Sequence, residues 1–348
     1  MSHLSDVAEV SRKVIKYGSI GLVALIVLRM VFNAGRAWWK ARNPDPPPPP
    51  DVKFGKLPPL TFPITEQPKL SYRLETRTGS LPVLDGQFTV YFMPIRKPSL
   101  LAYDQAAQIA QRLDFIQEPD KLSETQYRWN STSPIPSSLT IDIITGEFIL
   151  DRVWQQDPEY LTPSLFISEE RAVEVAHNFL SRVELLPNDI REGTNSTSSL
   201  RVENGQLSPA VSISKAQFMQ VNLFRAPVNG IGVVNPLANK GLISLIIAFQ
   251  REEIKQLVRV EYSYFPVDLD QFASYPLIGV EAAWQRLHEG KSFIAAHGGS
   301  GNEVVIRDVY LAYYDSDTPQ QFLQPVYVFT GDEGFLGYVP AVSDAWVE

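Results

Sequence analysis

The chain has 348 residues, a formal net charge of −8, 44% hydrophobic and 11% aromatic residues, and no cysteine. That composition supplies core material for two or three domains and excludes a disordered chain. The lack of cysteine excludes disulfide frameworks, zinc–thiolate centres and thiol nucleophiles. Charge is divided unevenly: residues 1–42 hold seven Lys and Arg against Asp6 and Glu9, a net of +5, so the other 306 residues carry −13. A nucleic-acid binder concentrates positive charge on its folded part, so no nucleic-acid partner is expected.

The first element is an apolar run, "GSIGLVALIVLRMVFNAG" over residues 18–35, with one charge and no proline. Its 18 residues nearly match the roughly 20 that a helix needs to span a bilayer core. Tyr17 stands at one end and Trp38 and Trp39 at the other, where amphipathic rings favour the two membrane interfaces. Arg29 lies close enough to the end to reach outward along the helix. A cleaved signal peptide has a shorter apolar region and a small-residue cleavage site, and "AGRAWWKARNP" has no convincing A-x-A. The sequence therefore predicts a short cytoplasmic tail over residues 1–16 and a retained transmembrane helix over 17–35. Tyr17, Trp38 and Trp39 serve as interface anchors and the lipid bilayer as a partner. Basic residues flank both ends about equally, so charge alone does not orient the helix. A tail too short to hold a domain favours the N-terminus inside and the C-terminal part outside the plasma membrane, as a single-pass protein.

Residues 36–70 form a juxtamembrane segment and proline-rich linker. Ten of the 27 prolines fall between residues 44 and 68, five of them consecutive at 46–50. Consecutive prolines adopt polyproline II, at about 3.1 Å per residue, so residues 44–68 fully extended would reach roughly 75 Å. Docking ligands of this type usually carry a flanking basic residue, whereas Asp45 and Asp51 flank this run. The expectation is a stiff spacer.

Past the linker, helical and alternating patterns succeed one another. "SYRLETRTGSLP" and "GQFTVYFMPI" read as a hairpin over residues 71–94, and "PSLLAYDQAAQIAQRLDF" as a helix with an apolar stripe through Leu101, Ala106, Ile109, Ala110 and Leu113. Strands "TQYRWN", "SSLTIDII" and "EFILDRVW" follow, the last two joined at Thr145-Gly146. The scheme recurs with "FISEERAVEVAHNFLSRV", where Ser168 is the expected N-cap and Glu169 and Glu170 suit the positive end of the helix dipole. It recurs again with "YPLIGVEAAWQRLHEGKSFI" and three aromatic strands. The fold class expected is α+β: a first unit over residues 71–160 with its N-terminal hairpin, a second over 161–270 and a third over 271–348. A dinucleotide fold's βαβ alternation and glycine-rich phosphate turn are missing.

"ISEERAVEVAHNFL" resembles the opening helix of PepSY-like domains, and "LTIDIITGEFIL" their closing hairpin. The last unit, "YPLIGVEAAWQRLHEGK", "IRDVYLAYYDSD" and "LQPVYVFTGDEGFLGYVPAV", is similar to the C-terminal part of membrane-anchored YycH/YycI-type regulators, most sharply over residues 275–342. The resemblance implies one N-terminal membrane helix, an extracytoplasmic PepSY-like fold and regulation of a sensor kinase. It carries over no catalytic residue. The proline spacer and the first hairpin depart from the regulators' pattern.

Candidate chemistry is sparse. His177 and His288 lie in helical patterns without an i, i+4 partner, so they read as packed or surface histidines. "AAHGGSGNE", with His297 and Ser300, leads into a strand and lacks the strand-to-helix turn of a nucleophile elbow. "DSDTPQQ", with Asp315 and Asp317, lacks the Gly and distal Glu of a calcium loop and reads as a solvated turn. Tyr310, Tyr313, Tyr314, Tyr327, Phe335 and Tyr338 crowd the last unit. They read either as a sheet whose faces favour aromatics or as a partner-binding surface. No catalytic, cofactor or metal site is expected. The functional expectation is a membrane-anchored, non-catalytic protein that regulates or scaffolds another envelope protein, such as a sensor kinase or protease. A membrane-tethered hydrolase and a structural component of an envelope assembly are the alternatives.

Overall fold

The computed structural model describes residues 3–42, 48–95 and 99–348. The chain divides into two compact units, Met1–Pro49 and Pro50–Glu348.

The first unit holds one helix, α1 (His3–Arg42), 40 residues long. The apolar run over 18–35 falls inside it. Leu22, Leu25, Leu28, Met30, Val31 and Phe32 are exposed, as are Tyr17, Trp38 and Trp39. Among the described residues no helix is long and apolar enough to cross a membrane; the side chains at positions 19–21, 23 and 24 lie outside that set. Pro46 and Pro47 also lie outside the described residues.

The second unit is a mixed α+β structure, mostly sheet with few helices. In chain order it contains β1 (Ser71–Leu74), β2 (Gln87–Phe92), α2 (Ala102–Arg112), β3 (Asp120–Lys121), β4 (Gln126–Ser131), β5 (Ser137–Asp142), β6 (Phe148–Arg152), α3 (Glu169–Arg182), α4 (Asn188–Arg191), β7 (Asn195–Glu203), β8 (Gln206–Pro209) and β9 (Phe218–Leu223). These are followed by β10 (Val233–Val234), β11 (Ile243–Ala248), α5 (Glu253–Gln256), β12 (Leu257–Tyr262), β13 (Asp268–Pro276), α6 (Val280–His288), β14 (Phe293–Ala296), β15 (Glu303–Tyr314), β16 (Phe322–Gly331) and β17 (Leu336–Pro340).

Nine strands form one antiparallel sheet in the order β3-β4-β5-β6-β12-β11-β9-β7-β8. Two helix-then-meander segments are thus joined edge to edge through their last strands, β6 and β12, with Val260 opposite Leu150. The strands of residues 120–152 and 195–262 share one sheet and one core. Helix α2 buries Ala102, Ala106 and Ala110, and α3 buries Ala172, Ala176 and Leu180. Both meet Trp129, Leu139, Ile141, Val221 and Leu245 of the sheet in a single apolar cluster. Small residues at i, i+4 let each helix approach the sheet closely. Ser168 caps α3 by accepting from the Arg171 amide at 3.3 Å. The β5–β6 turn is held by Asp142, whose carboxylate accepts from the amides of Ile144 and Thr145 at 2.9 and 3.0 Å, and Gly146 supplies φ 78°.

The other sheet has eight strands, with β1-β15-β16-β17-β14 as its spine and β2, β10 and β13 attached. The hairpin expected over residues 71–94 does not form. β1 pairs parallel with β15, Tyr72 opposite Val304, while β2 pairs with β13 and β16. The Thr-Gly-Ser turn exists, with Gly79 at φ 71°, but Leu81 and Leu84 after it pack against the cluster around α6 and carry the chain to a different part of the sheet.

The spacer expected over 36–70 is also corrected. From Asp51 onward it is docked on this sheet. The Ser274 amide donates to Asp51 at 2.9 Å and the Val52 amide to the Ser274 carbonyl at 3.1 Å. Leu57 is fully buried, and its amide donates to the Trp346 carbonyl at 2.8 Å while Glu348 returns a bond to Leu57 at 3.0 Å. Phe62 stacks on Phe293 at 5.0 Å, and Gln324 donates to the Pro58 carbonyl at 2.9 Å. The cause is composition: Val52, Phe54, Leu57, Leu60 and Phe62 bury apolar surface that an extended spacer would leave in water.

Candidate functional site

The six aromatics read as a possible surface are, with one exception, core. Tyr313, Tyr314, Tyr327, Phe335 and Tyr338 are at most 2% exposed, whereas Tyr310 is 37% exposed. The reason lies in β16, whose first eight residues are all buried. One face packs under α6, where Tyr327 and Phe329 meet Val280, Ala283 and Leu287. The other face, with Val326, Val328, Tyr314 and Tyr338, is covered by Leu60 and Phe62 of the docked segment. Tyr314 donates to the Thr61 carbonyl at 3.3 Å and Tyr338 to the Asn235 carbonyl at 3.1 Å. Burial pushes both phenols above their ordinary value. The aromatic face is roofed by the stretch that the sequence presents as linker. Tyr17, Trp38 and Trp39 lie in the other unit, where the Arg42 guanidinium sits over the Trp38 ring at 4.5 Å.

Asp315 is not on a solvated turn. It is completely buried, and its carboxylate accepts from Arg225 Nε at 2.6 Å. Arg225, 1% exposed, also donates to the Phe265 carbonyl at 2.6 Å and to Asp189, and it lies over the Tyr264 ring at 4.9 Å. Tyr264 Oη donates to Asp189 at 3.0 Å. Arg225 follows β9 of the nine-stranded sheet and Asp315 follows β15 of the other, so this network ties the two sheets together. Burial pushes the Asp315 carboxyl up, against the pull of Arg225 beside it. The sequence signal was an arginine inside "VNLFRAPV", a charge set in an apolar strand end.

The histidine loop has a packing explanation. A Cβ on Gly298 would come within 2.6 Å of the Glu333 carbonyl oxygen, and one on Gly299 would meet the Glu333 carboxylate. His297 Nε2 lies 3.2 Å from the Gly301 carbonyl and its ring 6.3 Å from that of Phe335. His288 packs edge-on to Trp284 and Tyr72. Among the described residues no group of three His, Asp or Glu is placed to hold a metal ion.

The feature that sequence reasoning missed is a cleft of about 540 Å³ where the two halves of the nine-stranded sheet meet. Its walls are the end of α2 (Leu113, Asp114, Phe115), the outer face of α3 (Arg171, Val175, Asn178, Phe179, Arg182), the loop over 131–137 and the junction of α5 with β12. Arg152, the last residue of β6, lines it. Arg152 Nη1 donates to the Leu257 carbonyl at 3.2 Å and also to the Ile254 carbonyl. Among the described residues it has no carboxylate at ion-pair distance, and burial pushes its guanidinium below its ordinary value. Arg182 lies 5.9 Å from the Phe179 ring, whereas Arg171 is paired with Glu174 at 2.6 Å. The hydroxyls of Ser131 and Ser137 donate to the carbonyls of Ser133 and Ile135 at 2.9 and 2.7 Å, so neither proton is directed at a base as nucleophilic catalysis requires. No short motif announces this cleft, because its parts come from five separated stretches of chain.

No family model matches the chain, and no curated protein matches it. Among solved structures, the crystal structure of an uncharacterized protein from Eubacterium rectale is similar at 11% identity and a TM-score of 0.33, over 75% of this chain and 84% of that one. A likeness at that level carries no argument about fold or function.

Proposed function

We propose that this chain is a single-pass, membrane-anchored binding protein. Its second unit lies outside the plasma membrane, regulates or scaffolds another envelope protein, and performs no chemistry. The observation that carries the binding reading is the cleft: concave, lined by apolar and polar side chains together, and holding Arg152 and Arg182, which among the described residues have no carboxylate at ion-pair distance. Sites of that volume and lining are what proteins use to hold ligands, and the Ser131 and Ser137 hydroxyls in it are committed to backbone carbonyls. Supporting the anchor are the exposed apolar side chains of α1, which need an apolar surrounding, and the aromatic and basic residues just past the apolar run. The helix-then-meander order of both halves of the large sheet accords with the PepSY-like reading.

Three measurements test this. Membranes holding the full chain, washed with alkaline carbonate, should retain it, and deletion of residues 1–42 should release it; an intact chain that washes free ends the anchor reading. A photocrosslinker at Asn178, on the cleft wall, should trap an envelope protein in living cells. Catalytic turnover by the purified chain, abolished by one point substitution, would overturn the non-catalytic reading.

A further inference from the structure

We propose that the cleft between α2 and α3 binds a single carboxylate carried on an apolar body, with Arg152 and Arg182 receiving the charge. The inference deepens the binding reading above and rests on it. A guanidinium has five N–H donors in a fixed fork. The two on Arg152 Nη1 are matched by the Ile254 and Leu257 carbonyls, which leaves the Nε and Nη2 groups without a protein partner among the described residues. Those two edges present the geometry that accepts a carboxylate through two parallel bonds. A half-buried cation bonded only to neutral carbonyls, with Asp114 acting on it from beyond ion-pair distance, still favours a directly bonded anion.

The rest of the lining narrows the ligand. Phe115, Ile135, Val175 and Phe179 offer apolar contact beside the charge, which an inorganic anion would leave unused. Arg171 is already committed to Glu174. Asp114 and Glu253 face the same space, so a dianion such as phosphate, or a ligand with a second acidic group, would meet repulsion that a monoanion with an apolar body avoids. Two sources share this chemistry: a free aryl- or alkyl-carboxylic acid, and the C-terminal residue of a peptide ending in an apolar side chain.

The test is calorimetric titration of the full chain in lipid nanodiscs with 3-phenylpropionate, its amide, inorganic phosphate, and two short peptides ending in Phe, one with a free and one with an amidated C-terminus. Binding of an acid, with the corresponding amide weaker by about tenfold or more, is the expected result, since a charge-assisted pair is worth that much. Binding by the peptide acid alone assigns the source to a protein terminus; binding by the small acid alone assigns it to a metabolite. Arg152→Met should weaken the acid by about tenfold or more, and Arg307→Met, remote and paired with Asp332 and Glu75, should leave it unchanged. If Arg152→Met does not fold, Arg182→Met, at an exposed position, reads the same effect. Equal binding of acid and amide, phosphate binding as well as the acid, or unaltered binding by the folded arginine variant overturns the proposal. If no acid binds while the Asn178 crosslink still forms, the ligand class is wrong and the binding reading stands.

Discussion

Replacing Arg225 with Met should destabilise the second unit more than any other single polar change in it. The substitution keeps most of the side-chain volume but removes the cation that faces Asp315, a residue with no exposed surface. Asp315 Oδ1 already lacks a partner, so without Arg225 the whole carboxylate is left uncompensated. Breaking a buried pair from one side costs about 3–5 kcal/mol. With a urea dependence of about 3 kcal/mol per molar, the unfolding midpoint should fall by roughly 1–1.7 M. The assay is urea unfolding of residues 50–348, followed by the fluorescence of the core residues Trp129 and Trp154. The double variant Arg225→Met/Asp315→Leu should recover most of the loss, because replacing both charges by apolar groups removes the desolvation cost as well as the attraction. Asp189, one-third exposed and bonded to Tyr264, can be hydrated once Arg225 is gone. A midpoint unchanged in Arg225→Met, or a double variant no better than the single, would refute this account of the network.

The docked segment should respond to Leu57→Ala with a loss of about 2–5 kcal/mol, the usual cost of emptying a fully buried leucine site, and limited proteolysis should then cut within residues 51–68, intact in the parent. Gly193→Ala should fail to accumulate as folded protein, since a Cβ there would lie 1.8 Å from the Phe224 carbonyl oxygen, a backbone atom that cannot step aside; normal expression and melting would contradict it. Burial pushes the Glu147 carboxyl above its ordinary 4.5, against hydrogen bonds from Thr145 and Ser263. The native state therefore holds that proton to higher pH than the unfolded state, and the group's contribution falls as pH rises from 4.5 through the folded value. Glu147→Gln should raise the thermal midpoint at pH 7 and change it little below pH 4, as differential scanning fluorimetry across that range would show.

Local structure was legible in the sequence where its cause is local. The i, i+4 alanines of α2 and α3, the Ser168 cap and the Asp142–Gly146 turn all act within a few residues, and each is found where the pattern places it. What the pattern did not carry is which surfaces meet. Tyr314 and Tyr338 alternate as half-exposed strand residues do, yet both are covered, because Leu60 and Phe62 come from more than 230 positions earlier in the chain. The prolines made that stretch look like a spacer, since they forbid helix and central strand, but they do not prevent an extended segment from laying apolar side chains on a sheet. For Tyr314 and Tyr338, linker and aromatic surface thus have one cause, whereas Tyr327 and Phe335 are covered by α6. Ser71–Leu74 likewise found its partner at Glu303–Ile306, a pairing that no turn signal encodes.

The seam between residues 51–62 and the C-terminal edge also sets how the molecule carries load. Tension applied N-terminal to Pro50 enters at the Asp51–Ser274 pair, so it pulls first on β13, well inside the chain. The attachment then fails by peeling, with Asp51, Val52, Leu57 and Phe62 released in turn, and each step frees a further length of extended chain. The roof over Tyr314 and Val328 lifts as Leu60 and Phe62 go. Peeling of this strap should therefore precede opening of the core sheet.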